Sequence, residues 1–260
     1  MTKVGVFLAK IVAIVNQKGG VGKTTTAVNL TAALTARGKK VLLCDFDPQA
    51  NATSGLGVDK NQPSAFSYDM IINDRPASEV ILHTKFGDLI PSTPALSGAA
   101  VELVADPQRE YALQRALSPV QDQYDYIFID CPPSLELLTL NALCAAGSIL
   151  IPVQCEYYAL EGLSDLMMTM RAVKKRLNPD LQIFGVLLTM FDGRTNFSNQ
   201  VAEEVRRHFP GKVYAAVIPR NVRLAEAPSH GLPVTTYDKY SRGAAAYEAL
   251  AQEILEKEVF

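Results

Sequence analysis

Residues 18–25 read Lys18-Gly19-Gly20-Val21-Gly22-Lys23-Thr24-Thr25. Two lysines, three glycines and two hydroxyls in eight positions suit the binding of an anion. Glycines let backbone N–H groups turn toward a phosphate, and a helix starting at the loop adds its positive end. Lys23 would reach the β/γ-phosphates of a nucleotide, and the Thr24 hydroxyl would ligate Mg²⁺. The bland alternative is a glycine-rich turn that binds nothing. The flanks argue against it: Ile11-Val12-Ala13-Ile14-Val15 precedes as a strand, and Thr26 to Leu34 follows with a helical pattern.

Carboxylates complete the chemistry. Asp130 ends the apolar run Tyr126-Ile127-Phe128-Ile129 and offers the hard oxygen that a Mg²⁺–nucleotide site needs. Taken alone, such an Asp reads as a cap or turn residue. Asp45 and Asp47 follow a second apolar run, and their spacing of two points both to the same side of an extended chain. Either can reach the magnesium shell or an attacking water; an Asx turn ahead of Pro48 is the lesser alternative.

These groups need a scaffold that brings strand ends together. Further strands are expected at Lys40–Asp45, Gly87–Pro91, Tyr126–Asp130, Ser148–Val153, Ile183–Met190 and Val213–Val217. Helices are expected near 97–117, 135–146, 159–177, 196–209 and 241–257. Apolar strands alternating with helices predict an α/β fold, a mostly parallel sheet with helices on both faces. On such sheets ligands bind at the carboxyl ends of the strands, where the glycine loop, Asp45, Asp47 and Asp130 all fall. No repeat or linker interrupts residues 1–260, so a single domain is expected.

Bulk properties exclude several classes. The chain has 260 residues, 48% hydrophobic and 20% charged, with net charge −2. No apolar run reaches the roughly 18–20 residues that span a bilayer, and Lys10 interrupts the short N-terminal apolar patch. Cys44, Cys131, Cys144 and Cys155 show no CxxC spacing and read as reduced cytoplasmic thiols. Charge is uneven: residues 1–160 sum to −3 and residues 161–242 to +4. The second half can present a basic face, although on charge counts alone scattered solvated side chains are the better explanation.

The glycine loop departs from the common P-loop pattern, with Gln17 where a glycine is usual and Lys18 next to it. It resembles the deviant Walker A motif, KGGxGK[ST]. Together with Asp45-Phe46-Asp47-Pro48-Gln49, Asn51 to Gly57, Asp130-Cys131-Pro132-Pro133-Ser134, Pro152 to Gly162 and Ile218 to Ser229, the chain resembles the ParA/Soj family of partitioning ATPases from Ile11 to about Leu250. The resemblance implies a deviant Walker A P-loop NTPase fold and slow, partner-stimulated hydrolysis of ATP with Mg²⁺. Lys18 looks like the lysine that crosses an ATP-sandwich dimer to the partner's phosphates, with Gly19 permitting the approach. Gly20, Val21, Gly22 and Lys23 would cradle phosphate, Thr24 hold Mg²⁺ and Thr25 touch the α-phosphate. Asp47, rather than Asp45, would orient the hydrolytic water, and Asp130 looks like the Walker B aspartate. Pro219 and Asn221 match adenine contacts. Arg194 and Arg223 match arginines tied to non-specific DNA binding, with Arg220 a weaker candidate. By charge alone Arg194 is a loop arginine beside Asp192, and Arg223 a helix-surface partner of Glu226.

The resemblance implies an ATP-bound homodimer, double-stranded DNA and a ParB-like protein as partners, and a nucleoid-associated cytoplasmic location. The glycine loop begins close to the N-terminus, so no extra operator-binding domain is expected ahead of it. Two alternatives share the loop. A MinD-like membrane-surface or other cargo-positioning ATPase needs a basic amphipathic C-terminal anchor, whereas residues 243–260 carry Glu248, Glu253, Glu256 and Glu258 against Lys257 alone. Their apolar face, Tyr247, Leu250, Ala251, Ile254 and Leu255, is expected to pack on the sheet. An iron–sulfur relative needs cysteines spaced to bridge a cluster, which Cys131 and Cys155 do not provide.

Overall fold

The computed structural model describes residues 8–156 and 159–257. Residues 1–7, Tyr157, Tyr158 and the last three residues, Glu258 among them, lie outside the described residues. The strands are β1 (Lys10–Ile14), β2 (Val41–Asp45), β3 (Leu82–Thr84), β4 (Gly87–Ile90), β5 (Tyr126–Asp130), β6 (Ser148–Gln154) and β7 (Gln182–Thr189). The helices are α1 (Lys23–Thr35), α2 (Asn51–Gly55), α3 (Ser67–Ile72), α4 (Ala77–Val80), α5 (Ala99–Glu102), α6 (Ala112–Leu117), α7 (Leu137–Ala145), α8 (Ala159–Arg176), α9 (Asn196–His208), α10 (Val222–Glu226), α11 (Val234–Tyr237) and α12 (Arg242–Glu256).

The seven strands lie in the order β3-β4-β2-β5-β1-β6-β7. All pairings are parallel except the β3–β4 hairpin at one edge. Alternation along each strand divides the core. Ala13, Leu42, Ile127, Ile149 and Leu188 join one apolar cluster, which α7 and α8 cover. Val12, Ile14, Leu43, Phe128 and Leu187 join the other, with α1 and α12. Burial on both faces is why these strands read as continuous apolar runs. The sheet is thus the expected mostly parallel α/β arrangement, with β1 between β5 and β6 so that its loop opens at the centre of the carboxyl edge.

Three expectations are corrected. The helix near 97–117 is broken: α5 passes into a 3-10 turn at Leu103–Ala105, a second turn spans Arg109–Tyr111, and only then does α6 begin. Asp106 stands before Pro107 with φ −81 and ψ 116, the extended state that proline imposes on its predecessor. Val213–Val217 is not a strand. It runs beside β7, where the Val186 and Tyr214 N–H groups donate to the Lys212 and Val186 carbonyls at 2.8 and 3.0 Å. The next two donors, Ala215 and Ala216 N–H, go instead to the Glu253 carboxylate of α12, each at 2.9 Å. A side chain thus takes the bonds that a ladder would need. Gly185 permits this path, because a Cβ there would lie 2.2 Å from the Tyr214 ring. Finally, the apolar face of α12 packs chiefly on α1 and α11, within the cluster that includes one sheet face.

Candidate functional site: a glycine loop beside three aspartates

The glycine loop leaves β1 and enters α1 at Lys23. Gly20 and Gly22 take φ of +75° and +91°, which L side chains rarely adopt. Gly22 serves as N-cap without any side-chain cap. Among the described residues, the N–H groups of Gly19 through Thr25 have no hydrogen-bond partner. Seven unpartnered donors around a helix N-terminus form an oxyanion cradle.

Two buried contacts fix the loop. The Asn16 amide donates to the Pro152 carbonyl at 2.7 Å, and its Oδ1 accepts the Lys18 N–H at 3.0 Å. The Thr189 hydroxyl, at the end of β7, donates to the Val21 carbonyl at 2.8 Å. Lys23 is buried and its ammonium donates to the Lys18 carbonyl at 3.1 Å. Burial lowers its pKa, and the Asp130 charge opposes that shift. The Lys18 ammonium pairs with the Glu156 carboxylate.

Asp45 and Asp130 end neighbouring strands in register. Asp130 is fully buried, and neither of its oxygens makes a well-formed hydrogen bond. Burial, then the charge of Asp45, raises its pKa well above the usual carboxylate range, against the opposing effects of the Thr24 hydroxyl and Lys23. A fully buried carboxylate beside a hydroxyl, a lysine and an oxyanion cradle fits a Mg²⁺–phosphate pair, which would supply the missing positive charge.

The two aspartates after β2 separate. Asp45 Oδ2 accepts both the N–H and the hydroxyl of Thr53, each at 2.7 Å, and burial pushes its pKa up to about 6. Asp47 Oδ1 accepts the Gln49 N–H at 2.9 Å, so the Asx turn is present. Its Oδ2 has no hydrogen bond among the described residues. Asp45 is committed to the protein, while Asp47 keeps an oxygen for another partner.

A cleft of about 240 Å³ opens beside the loop, lined by Gly22, Thr25, Thr189, Pro219, Asn221 and Tyr247 among others. Asn221 caps α10 through Oδ1, which accepts the Arg223 N–H at 2.9 Å, leaving its amide NH₂ for the cleft. A second cleft of about 730 Å³ shares Pro219 and Arg220 with it and adds Arg194 and Arg242. Arg194 is bonded at 2.9 and 2.7 Å to Asp192, whose pKa it lowers to about 2, and its side chain stays 90% exposed. Arg220 has no salt bridge among the described residues. Arg223 lies on α10, apart from this cleft's lining, paired with Glu226 at 2.8 Å and Asp238 at 3.2 Å. The structure therefore groups Arg194, Arg220 and Arg242, and places Arg223 elsewhere. Thr53, Thr189 and Arg242 escaped the sequence reading; a lone Thr or Arg at a strand or helix end carries no pattern that marks it.

The family model described as an AAA domain matches residues 9–183. The chain is 59% identical over 249 residues to the sporulation initiation inhibitor protein Soj of Bacillus subtilis, covering 95% of this chain and 98% of that protein. It is 53% identical to the chromosome partitioning protein ParA of Myxococcus xanthus, over 96% of this chain and 89% of that one. Among solved structures, cobyrinic acid a,c-diamide synthase from Mycobacterium smegmatis, with bound ADP and magnesium, superposes with TM-score 0.85 at 37% identity, covering 97% and 96% of the two chains. The cell division ATPase MinD of Pyrococcus furiosus gives TM-score 0.79 at 31% identity, covering 96% and 100%. At 59% and 53% identity to Soj and ParA over nearly its whole length, this protein belongs to the ParA/Soj family of chromosome-partitioning ATPases.

Proposed function

We propose that the protein is an ATP-driven DNA-partitioning switch, built as one domain over residues 1–260. ATP and Mg²⁺ are its cofactors. The observation that carries the reading is the set of unpartnered N–H groups at Gly19–Thr25, in a loop whose Thr24 and Lys23 side chains lie beside a buried, under-bonded Asp130. Thr24 and Asp130 hold Mg²⁺, which neutralises phosphate charge. Lys23 binds the β/γ-phosphates, Thr25 the α-phosphate, and Pro219 and Asn221 the adenine. The free oxygen of Asp47 orients the hydrolytic water.

Lys18 leaves Glu156 and reaches the phosphates of a second copy, so ATP joins two protomers. The positive group supplied in trans acts as an arginine finger does. Joining two protomers doubles a modest cationic surface, and phosphate contacts then give salt-sensitive, sequence-independent affinity for duplex DNA. Arg194, Arg220 and Arg242 line one such surface, and Arg223 on α10 adds a separate cation. A ParB-like partner accelerates hydrolysis and releases the DNA, at the nucleoid in the cytoplasm. Burial of Tyr247, Leu250 and Ile254 against the fold favours this over a membrane anchor on α12.

Analytical ultracentrifugation with ATP and with ADP tests the switch. Wild type is expected to sediment as a dimer with ATP and a monomer with ADP, and Lys18→Ala to stay monomeric in both. A Lys18→Ala protein that dimerises with ATP as well as wild type overturns the role given to Lys18.

A further inference from the structure

The segment that carries Asp47 is held from behind by one hydroxyl. Asp45 Oδ1 accepts the Asp47 N–H at 3.3 Å, while Oδ2 takes both donors of Thr53. The Thr53 hydroxyl in turn accepts the Ser92 N–H at 3.0 Å, just past the end of β4. Asp45, Thr53 and Ser92 are all fully buried. The ends of β2 and β4 and the first turn of α2 thus meet on one side chain. Between them the backbone passes through Ala50 at φ 52° and ψ 38°, a left-handed state that a non-glycine residue holds only when its surroundings fix it.

We propose that Thr53 is a positioning residue for hydrolysis. By fixing both the Asp45 carboxylate and the Ser92 backbone, it sets the Asp47 N–H and thereby the place of the Asp47 carboxylate. Thr53 does not line the clefts beside the loop; Asn51 and Ser54 face the cleft beside Thr24 and Thr25. Its effect therefore falls on turnover and not on nucleotide binding. This rests on the reading that Asp47 orients the attacking water.

The test compares Thr53→Val, Thr53→Ser, Asp47→Asn and the Thr53→Val/Asp47→Asn double variant. Three quantities are measured: kcat for ATP hydrolysis, the Kd of a fluorescent ATP analogue with Mg²⁺, and thermal stability. Misplacing a reacting group by a fraction of an ångström costs about tenfold or more. Thr53→Val is expected to lose that factor in kcat, with Kd within about twofold of wild type. Thr53→Ser, which keeps the hydroxyl, is expected to recover kcat. The double variant is expected to be no slower than Asp47→Asn alone, since both act through one group.

Wild-type kcat in Thr53→Val, or multiplicative losses in the double variant, overturns the proposal. Wild-type turnover in Asp47→Asn overturns the underlying reading of Asp47 instead. If Thr53→Val does not fold, Asp45→Asn serves: its amide must turn an NH₂ toward either Thr53 or the Asp47 N–H, so one end of the restraint is lost. The same kcat-specific fall is expected, and unchanged kcat again overturns the proposal.

Discussion

Replacing Asp130 by asparagine should make the nucleotide-free protein more stable while removing its response to Mg²⁺–ATP. Asp130 is fully buried, sits in register with Asp45, and has no well-formed hydrogen bond. Its pKa is raised first by burial and then by the Asp45 charge, so the ionised form is held against the preference of its surroundings. An unpaired buried carboxylate costs several kcal/mol, of which the nearby Lys23 returns a part. Asparagine keeps the shape and removes the charge. The net gain is expected to be about 1–3 kcal/mol, or roughly 2–10 °C in Tm for a chain of this size. Wild type should gain stability with ligand, by about 2.7 kcal/mol at one hundred times Kd. Thermal melts at pH 8, with and without Mg²⁺–ATP, read both effects. A lower Tm for ligand-free Asp130→Asn, or an undiminished ligand shift in that variant, would show that the Asp130 charge neither strains the empty site nor holds Mg²⁺.

Other consequences follow from the same contacts. Lys23→Ala is expected to lower ATP affinity at least about 100-fold with little change in secondary structure, since among the described residues the ammonium's one hydrogen bond goes to a loop carbonyl and its charge faces Asp130 at the site; equilibrium binding of a fluorescent nucleotide checks this. Thr189→Val removes the buried bond to the Val21 carbonyl and should cost about 1–2 kcal/mol of stability, together with weaker nucleotide binding. Tyr247→Phe removes the buried contact with the Thr26 hydroxyl at 3.1 Å and should cost about 1 kcal/mol, measurable by denaturant titration. The Asp45 pKa is raised from 3.8 to about 6, so its contribution to stability is full below about pH 4 and is lost as pH rises through about 6. Asp45→Asn should flatten this part of the ligand-free stability profile.

The sheet was legible because its strands are buried on both faces and read as apolar runs, and the glycine loop was legible because its chemistry demands those residues in that order. Asp130 followed once a strand end was required opposite the loop. The hairpin at Leu82–Thr84 was not legible: three residues, partly exposed, carry too short a pattern. Val213–Val217 carries the pattern of a strand, but Glu253 claims two of its donors from 38 and 37 residues away in sequence, which no local pattern records. The break at Pro107 was readable from proline alone, since Asp106 cannot remain helical without strain. Asp45 and Asp47 are indistinguishable by spacing. Only Thr53, brought back by the first turn of α2, separates the buried structural carboxylate from the one with a free oxygen. Cationic residues were the least legible: Arg194, Arg220 and Arg242 converge through tertiary structure, whereas Arg223 is drawn aside by Glu226 and Asp238.

The most direct measurement is binding of wild type and of an Arg194→Ala/Arg220→Ala variant to non-specific duplex DNA, with ATP, with ADP and without nucleotide, at two salt concentrations. An ATP switch that holds DNA requires wild-type binding that appears only with ATP and weakens steeply with salt, and a large loss in the variant with its ATP-dependent dimer intact. Equal binding in all nucleotide states, or no binding in any, would contradict an ATP switch that holds DNA.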